Sequence, residues 1–125
     1  MAEFLYLNSR DEFLRIDVST IVFFEGEGNY TRIVLANGFE GLVCMNLGKM
    51  ERMLSAKLKE KAQRFARIGK RHIVNLNYIL QVTPLKQTLI LSDQRNFQYS
   101  LNVSKEALKN LKDLIINSTT NKANS

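Results

Sequence analysis

Arg67, Lys70 and Arg71 stand within the stretch RIGKRHIVN, residues 67–75, which runs straight into the apolar pair Ile73-Val74 and closes on Asn75. Guanidinium and ammonium groups held at the mouth of a buried strand suit phosphate, or the acceptor edge of a base. The neighbouring sequence is one-signed. No acidic residue occurs between Glu60 and Asp93, an interval that holds Lys61, Arg64, Arg67, Lys70, Arg71 and Lys86. Charge is also segregated along the chain. Residues 1–40 carry three basic and seven acidic residues, a net of −4, and residues 41–125 carry fifteen and five, a net of +10. Segregation of this kind predicts a basic face directed at a polyanion; the plainer reading is a solvated positive surface without a partner.

The groups that an enzyme needs do not converge in the same way. His72, the single histidine, adjoins an apolar run and reads as packed or surface-exposed rather than catalytic. Glu25 and Glu27 bracket Gly26 and read as a solvated pair near a turn. Cys44, the single cysteine, falls in an expected strand and reads as a small core residue that fits a reducing compartment. No His/Cys/Asp spacing suits a metal, and Gly26-Glu27-Gly28 lacks the third glycine of a dinucleotide fingerprint. Gly26 and Gly28 are read instead as allowing an unusual backbone path. The expectation is therefore no enzymatic activity, no cofactor and no metal.

The elements that must position the cations are mostly strands. Runs at Phe4–Leu7, Phe13–Ile16, Ile21–Phe24 and Tyr30–Leu35 are apolar or β-branched. Asn37-Gly38 supplies a hairpin turn into Phe39–Cys44. His72–Val74, Tyr78–Val82 and Thr88–Leu91 follow, with Pro84 in a loop between two of them. In Phe97–Leu101, Phe97, Tyr99 and Leu101 alternate with polar residues, the pattern of a half-buried strand. Two helices are expected. Asn46 caps one, with Leu47, Met50, Leu54 and Leu58 on a stripe. Ser104 caps the other, with Val103 and Leu108 as a staple and Ala107, Leu108, Leu111, Leu114 and Ile115 facing the core. The polar stretch 117–125 reads as a frayed tail after a single domain over residues 1–116. The start, MAEFLYLNSRDEF, is no secretory signal, and the longest apolar runs are too short to span a bilayer, so the cytoplasm is the expected location.

Taken in order, these segments resemble the LytTR DNA-binding domain of bacterial response regulators. IVFFEGEGNYTRIVL (21–35) is similar to that family's strand-loop-strand signature. Leu47–Leu54 is similar to its short helix, FARIGKRHIVNLNYI (65–79) to its most recognisable block, and Tyr99-Ser100 to the approach to its last helix. The resemblance covers roughly residues 3–115. It implies a mainly β fold of about ten short strands in small antiparallel sheets, an elongated β-β-β sandwich with two short helices. It also implies duplex DNA contacted by loops in successive major grooves and the minor groove between them, with no recognition helix. Carried over by motif, base-reading positions fall at Thr31 with Arg32 beside it, at Lys70 followed by Arg71, and at Asn102 with Lys105 nearby. Thr31 shares the parity of Ile33 and Leu35, which is that of a core face. The chain departs from the pattern at Gly69, where many members have histidine, at Arg71 (serine) and at His72 (an aromatic).

The resemblance further implies tandem sites occupied by two copies that associate weakly or not at all without DNA. A receiver module, the family's usual partner, does not fit in 125 residues, so the chain is read as a free-standing regulator or a domain of something larger. The leading reading is a sequence-specific transcriptional regulator. The alternative is a β-rich protein-interaction module that has lost its DNA contacts. RNA binding ranks third, because no exposed aromatic pair stands out in the sequence.

Overall fold

Short β-branched and aromatic runs broken by Asn, Asp, Gly and Ser turns fold into ten strands and two α-helices in the computed structural model, which describes residues 3–119. All strand pairing is antiparallel, in sheets of two, three and five strands. The chain divides into two compact units between Asn77 and Tyr78.

The first unit opens with a hairpin of β1 (Phe4–Asn8) and β2 (Phe13–Asp17). A five-stranded sheet follows in the order β5-β4-β3-β7-β6, built from β3 (Ile21–Glu27), β4 (Tyr30–Leu35), β5 (Glu40–Val43), β6 (Phe65–Ile68) and β7 (His72–Asn75). Helix α1 (Leu47–Leu58) begins at Asn46, whose side chain accepts a hydrogen bond from the Lys49 N–H at 2.8 Å. Its stripe of Leu47, Met50, Leu54 and Leu58 is buried, as the periodicity predicts, and joins Leu5, Ile16, Phe24, Ile33 and Ile73 in one core. Gly26 makes room for the helix, because a Cβ there would come within 3.1 Å of Leu47 Cβ.

The second unit is a sheet in the order β10-β9-β8, from β8 (Ile79–Thr83), β9 (Thr88–Ser92) and β10 (Gln98–Asn102), with helix α2 (Lys105–Thr119). Leu89, Leu91, Leu101, Val103, Leu108 and Leu111 are buried in it. The alternation in β10 is as expected, with Asn102 exposed beside buried Leu101.

Four local expectations are corrected. The residues before Gly69, where the sequence reading places no element, form β6, a short strand whose charged and small residues, Arg67 and Ala66, conceal its pairing with β7. Cys44 is exposed in the bend after β5 rather than in the core, because β5 stops at Val43. Leu114 is 48% exposed and does not face the core. Finally, α2 continues to Thr119, so the start of the expected tail is helical; residues 120–125 lie outside the described residues.

Candidate nucleic-acid interface

The β6–β7 turn is built by Gly69, Lys70 and Arg71, between the paired residues Ile68 and His72. Gly69 has φ +62°, a conformation that a side chain at this position would strain. The turn is braced on both sides. Arg67 on β6 donates to the Lys70 carbonyl at 3.0 Å and to Glu51 on α1 at 2.9 Å. On the other side, the Gly26 N–H of β3 donates to the Arg71 carbonyl at 2.8 Å. Lys70 is exposed, and no carboxylate lies within ion-pair reach of it among the described residues. The Arg71 side chain is 66% exposed, with one guanidinium nitrogen 3.7 Å from Glu25. A pair this open is worth about 1 kcal/mol at most, so a phosphate can displace it.

One row of side chains crosses the five-stranded sheet behind this turn. Register places Leu42, Arg32, Glu25, His72 and Ile68 side by side on β5, β4, β3, β7 and β6. Arg32 is caged in it. Its Nε donates to Glu27 at 2.8 Å, an NH2 group bonds the same carboxylate, and the other donates to Glu40 at 3.1 Å. Those bonds, Glu27's foremost, raise the Arg32 pKa further. His72 is buried, with Nε2 3.2 Å from the Glu25 carboxylate and its ring edge-on to Phe23. Burial lowers the His72 pKa, against the opposing pull of Glu25, so at neutral pH the imidazole is neutral and its Nε2–H donates to Glu25.

A fold of this kind has counterparts among known proteins. The profile of the LytTr DNA-binding domain matches residues 11–116. The chain belongs to the LytTR DNA-binding domain family. A solved LytTr DNA-binding domain from Bacillus cereus, described as part of a methyl-accepting/DNA response regulator, is 21% identical to it. That likeness covers 90% of this chain and 95% of that one, with a TM-score of 0.62. No curated protein matches the chain. LytTR domains are DNA-binding domains of transcriptional regulators. The mainly β fold in small antiparallel sheets with two helices is that of the family.

Within this LytTR domain the residues carried over by motif have different fates. Thr31 is fully buried, and its hydroxyl donates to the Met45 carbonyl at 2.7 Å. It pins the bend that leads into α1, and its burial agrees with the core parity it shares with Ile33. Arg32 is spent on carboxylates. Lys70 and Arg71 are presented to solvent. In the second unit, Asn102 is exposed at the end of β10 opposite Thr88, and Lys105 is exposed at the first turn of α2, which Ser104 caps. The Val103 N–H between them donates to the Gln87 carbonyl at 3.0 Å and fixes the strand-to-helix passage.

Sequence reasoning missed Glu25. It is no solvated acid, since His72, Arg71 and Arg32 all lie within 3.8 Å of its oxygens. The sequence signal is its parity with Phe23, which turns it to the face that carries Arg32 and His72. Asn75 is a structural member of the same block. Its amide donates to the Ile21 carbonyl at 2.8 Å, where the β3–β4 ladder slips register, and its oxygen accepts the Asn77 N–H. Arg67, grouped with the phosphate-binding cations by sequence, is instead the brace of the turn.

Proposed function

We propose that this LytTR domain binds duplex DNA sequence-specifically as a transcriptional regulator, through loops rather than a recognition helix. The observation that carries this reading is the braced β6–β7 turn, which holds exposed Lys70 and Arg71 away from carboxylates able to neutralise them fully. Lys70 and Arg71 bind phosphate or a guanine edge. Asn102, neutral and exposed, reads an adenine edge, and Lys105 adds a phosphate contact at the helix start. Two copies occupy tandem sites, with little association in the absence of DNA. No helix among the described residues is long and apolar enough to cross a membrane. The bacterial cytoplasm, where the DNA is, is the proposed location.

Selection of bound duplexes from a random pool, at stated salt, tests the specificity. A recurrent repeated motif is the expected result, and an unchanged pool defeats it. With about four to six phosphates neutralised, the log–log salt slope is roughly −4 to −5; binding indifferent to salt removes the electrostatic part of the reading. One observation favours a second reading as a protein-interaction module. Tyr6 and Phe13, 52% and 56% exposed, stack at 6.1 Å on the outer side of the β1–β2 hairpin. That reading requires the isolated domain to leave duplex DNA unbound even at low salt.

A further inference from the structure

We infer that Glu25 is a positioning residue that restrains Arg71 and thereby holds down binding to random DNA. The inference rests on the reading that Arg71 contacts DNA. Two neighbouring residues of β3 hold Arg71: the Gly26 N–H takes its carbonyl at 2.8 Å, and the Glu25 carboxylate faces its guanidinium at 3.7 Å. Glu25 has little other use for its charge. Arg32 stands 3.8 Å away but gives its hydrogen bonds to Glu27 and Glu40. His72 supplies one hydrogen bond to the same oxygen that faces Arg71, and so fixes where the carboxylate sits. The Glu25 side chain is 24% exposed and held from both neighbouring strands, whereas the Arg71 side chain is 66% exposed and is held at its guanidinium by Glu25.

A carboxylate paired with a phosphate-seeking guanidinium competes with every phosphate for it and so opposes the contact made through Arg71, whatever the DNA sequence. On random DNA nothing offsets that opposition, because the contact is electrostatic alone. On a preferred site the same carboxylate keeps the guanidinium aimed, so that orientation gained balances attraction lost. Glu25 then widens the gap between preferred and random DNA.

The test is Glu25→Gln in the intact chain, titrated against a selected duplex and a scrambled one at two salt concentrations, alone and combined with Arg71→Ala. The expected result is random-DNA affinity raised roughly two- to fivefold, the scale of a partly exposed ion pair. Preferred-site affinity changes less than about twofold, and the gain on random DNA vanishes when Arg71 is alanine. A structural role alone moves both duplexes equally and persists in the Arg71→Ala background; that outcome overturns the inference. If the glutamine variant does not fold, Glu25→Asp keeps the charge and shortens its reach, and a random-DNA affinity unchanged by it overturns the inference as well. Arg71→Ala by itself separates the two readings. No loss on either duplex defeats the DNA contact of Arg71, whereas a loss there with Glu25→Gln silent defeats only the role of Glu25.

Discussion

Arg32 and Arg71 carry the same charge and lie on either side of the same carboxylate, yet the fold has given them opposite availability. Arg32 sits on a central strand, 39% exposed, with Glu25, Glu27 and Glu40 around it. Arg71 sits in a turn at the sheet's end, 66% exposed, with one loose partner. The comparison extends through the basic interval. Lys61 pairs with Glu3 and Arg67 with Glu51, while Lys70 pairs with no carboxylate among the described residues. A cation is therefore available to a polyanion where the fold brings no acid to it, as at Lys70, or a single loose one, as at Arg71. Counting charge along the chain overstates the basic face.

The largest expected effect breaks or keeps this contrast directly. Replacing Lys70 and Arg71 together by alanine weakens DNA binding roughly thirtyfold at 0.15 M salt and flattens the salt slope by about two units. Arg32→Gln shifts DNA affinity by less than about threefold and lowers the thermal midpoint instead, because three carboxylates lose their common partner. Equal losses in DNA affinity for the two variants show that the cage opens on DNA.

Next in size is Asn102→Ala. A neutral residue adds nothing to long-range attraction, so the variant loses roughly 1–3 kcal/mol on the preferred site and almost nothing on random DNA. Loss on both duplexes removes Asn102 from the reading set.

Thr31→Val keeps the shape of the side chain and leaves the Met45 carbonyl without its hydroxyl partner. We expect a loss of about 1–3 kcal/mol in urea unfolding, with DNA preference unaltered in the folded protein. A changed preference with unchanged stability returns Thr31 to the interface.

The smallest effect concerns pH. Burial lowers the His72 pKa from its ordinary 6.5, so the unfolded chain takes up this proton more readily than the folded one. The stabilisation is full above that value and declines as pH falls below it, through the folded pKa. His72→Phe removes this decline, which is read as the difference in urea midpoint between mildly alkaline and mildly acidic buffer. A wild-type midpoint that rises on acidification reverses the sign and shows His72 to be charged in the fold.

Much of the architecture was legible because it follows from short-range rules. The stripe of α1, the caps at Asn46 and Ser104, the turn at Asn37-Gly38 and the alternation of β10 are each decided by residues a few positions apart. Strand β6 was not legible, since four residues with an arginine and an alanine become a strand only through pairing with β7. Cys44 was misplaced for a related reason: where a hairpin strand ends depends on its partner's length.

The candidate site divides along the same line. The sequence by itself determined that Lys70 and Arg71 share a turn, that Asn102 lies on a polar face, that Thr31 has core parity and that the motifs follow the LytTR order. Only the tertiary structure decided that Glu25 stands between Arg32 and Arg71, that Arg67 braces the turn and that acids from the first forty residues neutralise cations far along the chain. The physical reason is that local geometry depends on neighbouring dihedrals and periodicity, whereas an ion pair depends on separation in space. Strand register brings residues 46 or more positions apart to within 4 Å, as it does for Glu25 with Arg71 and His72.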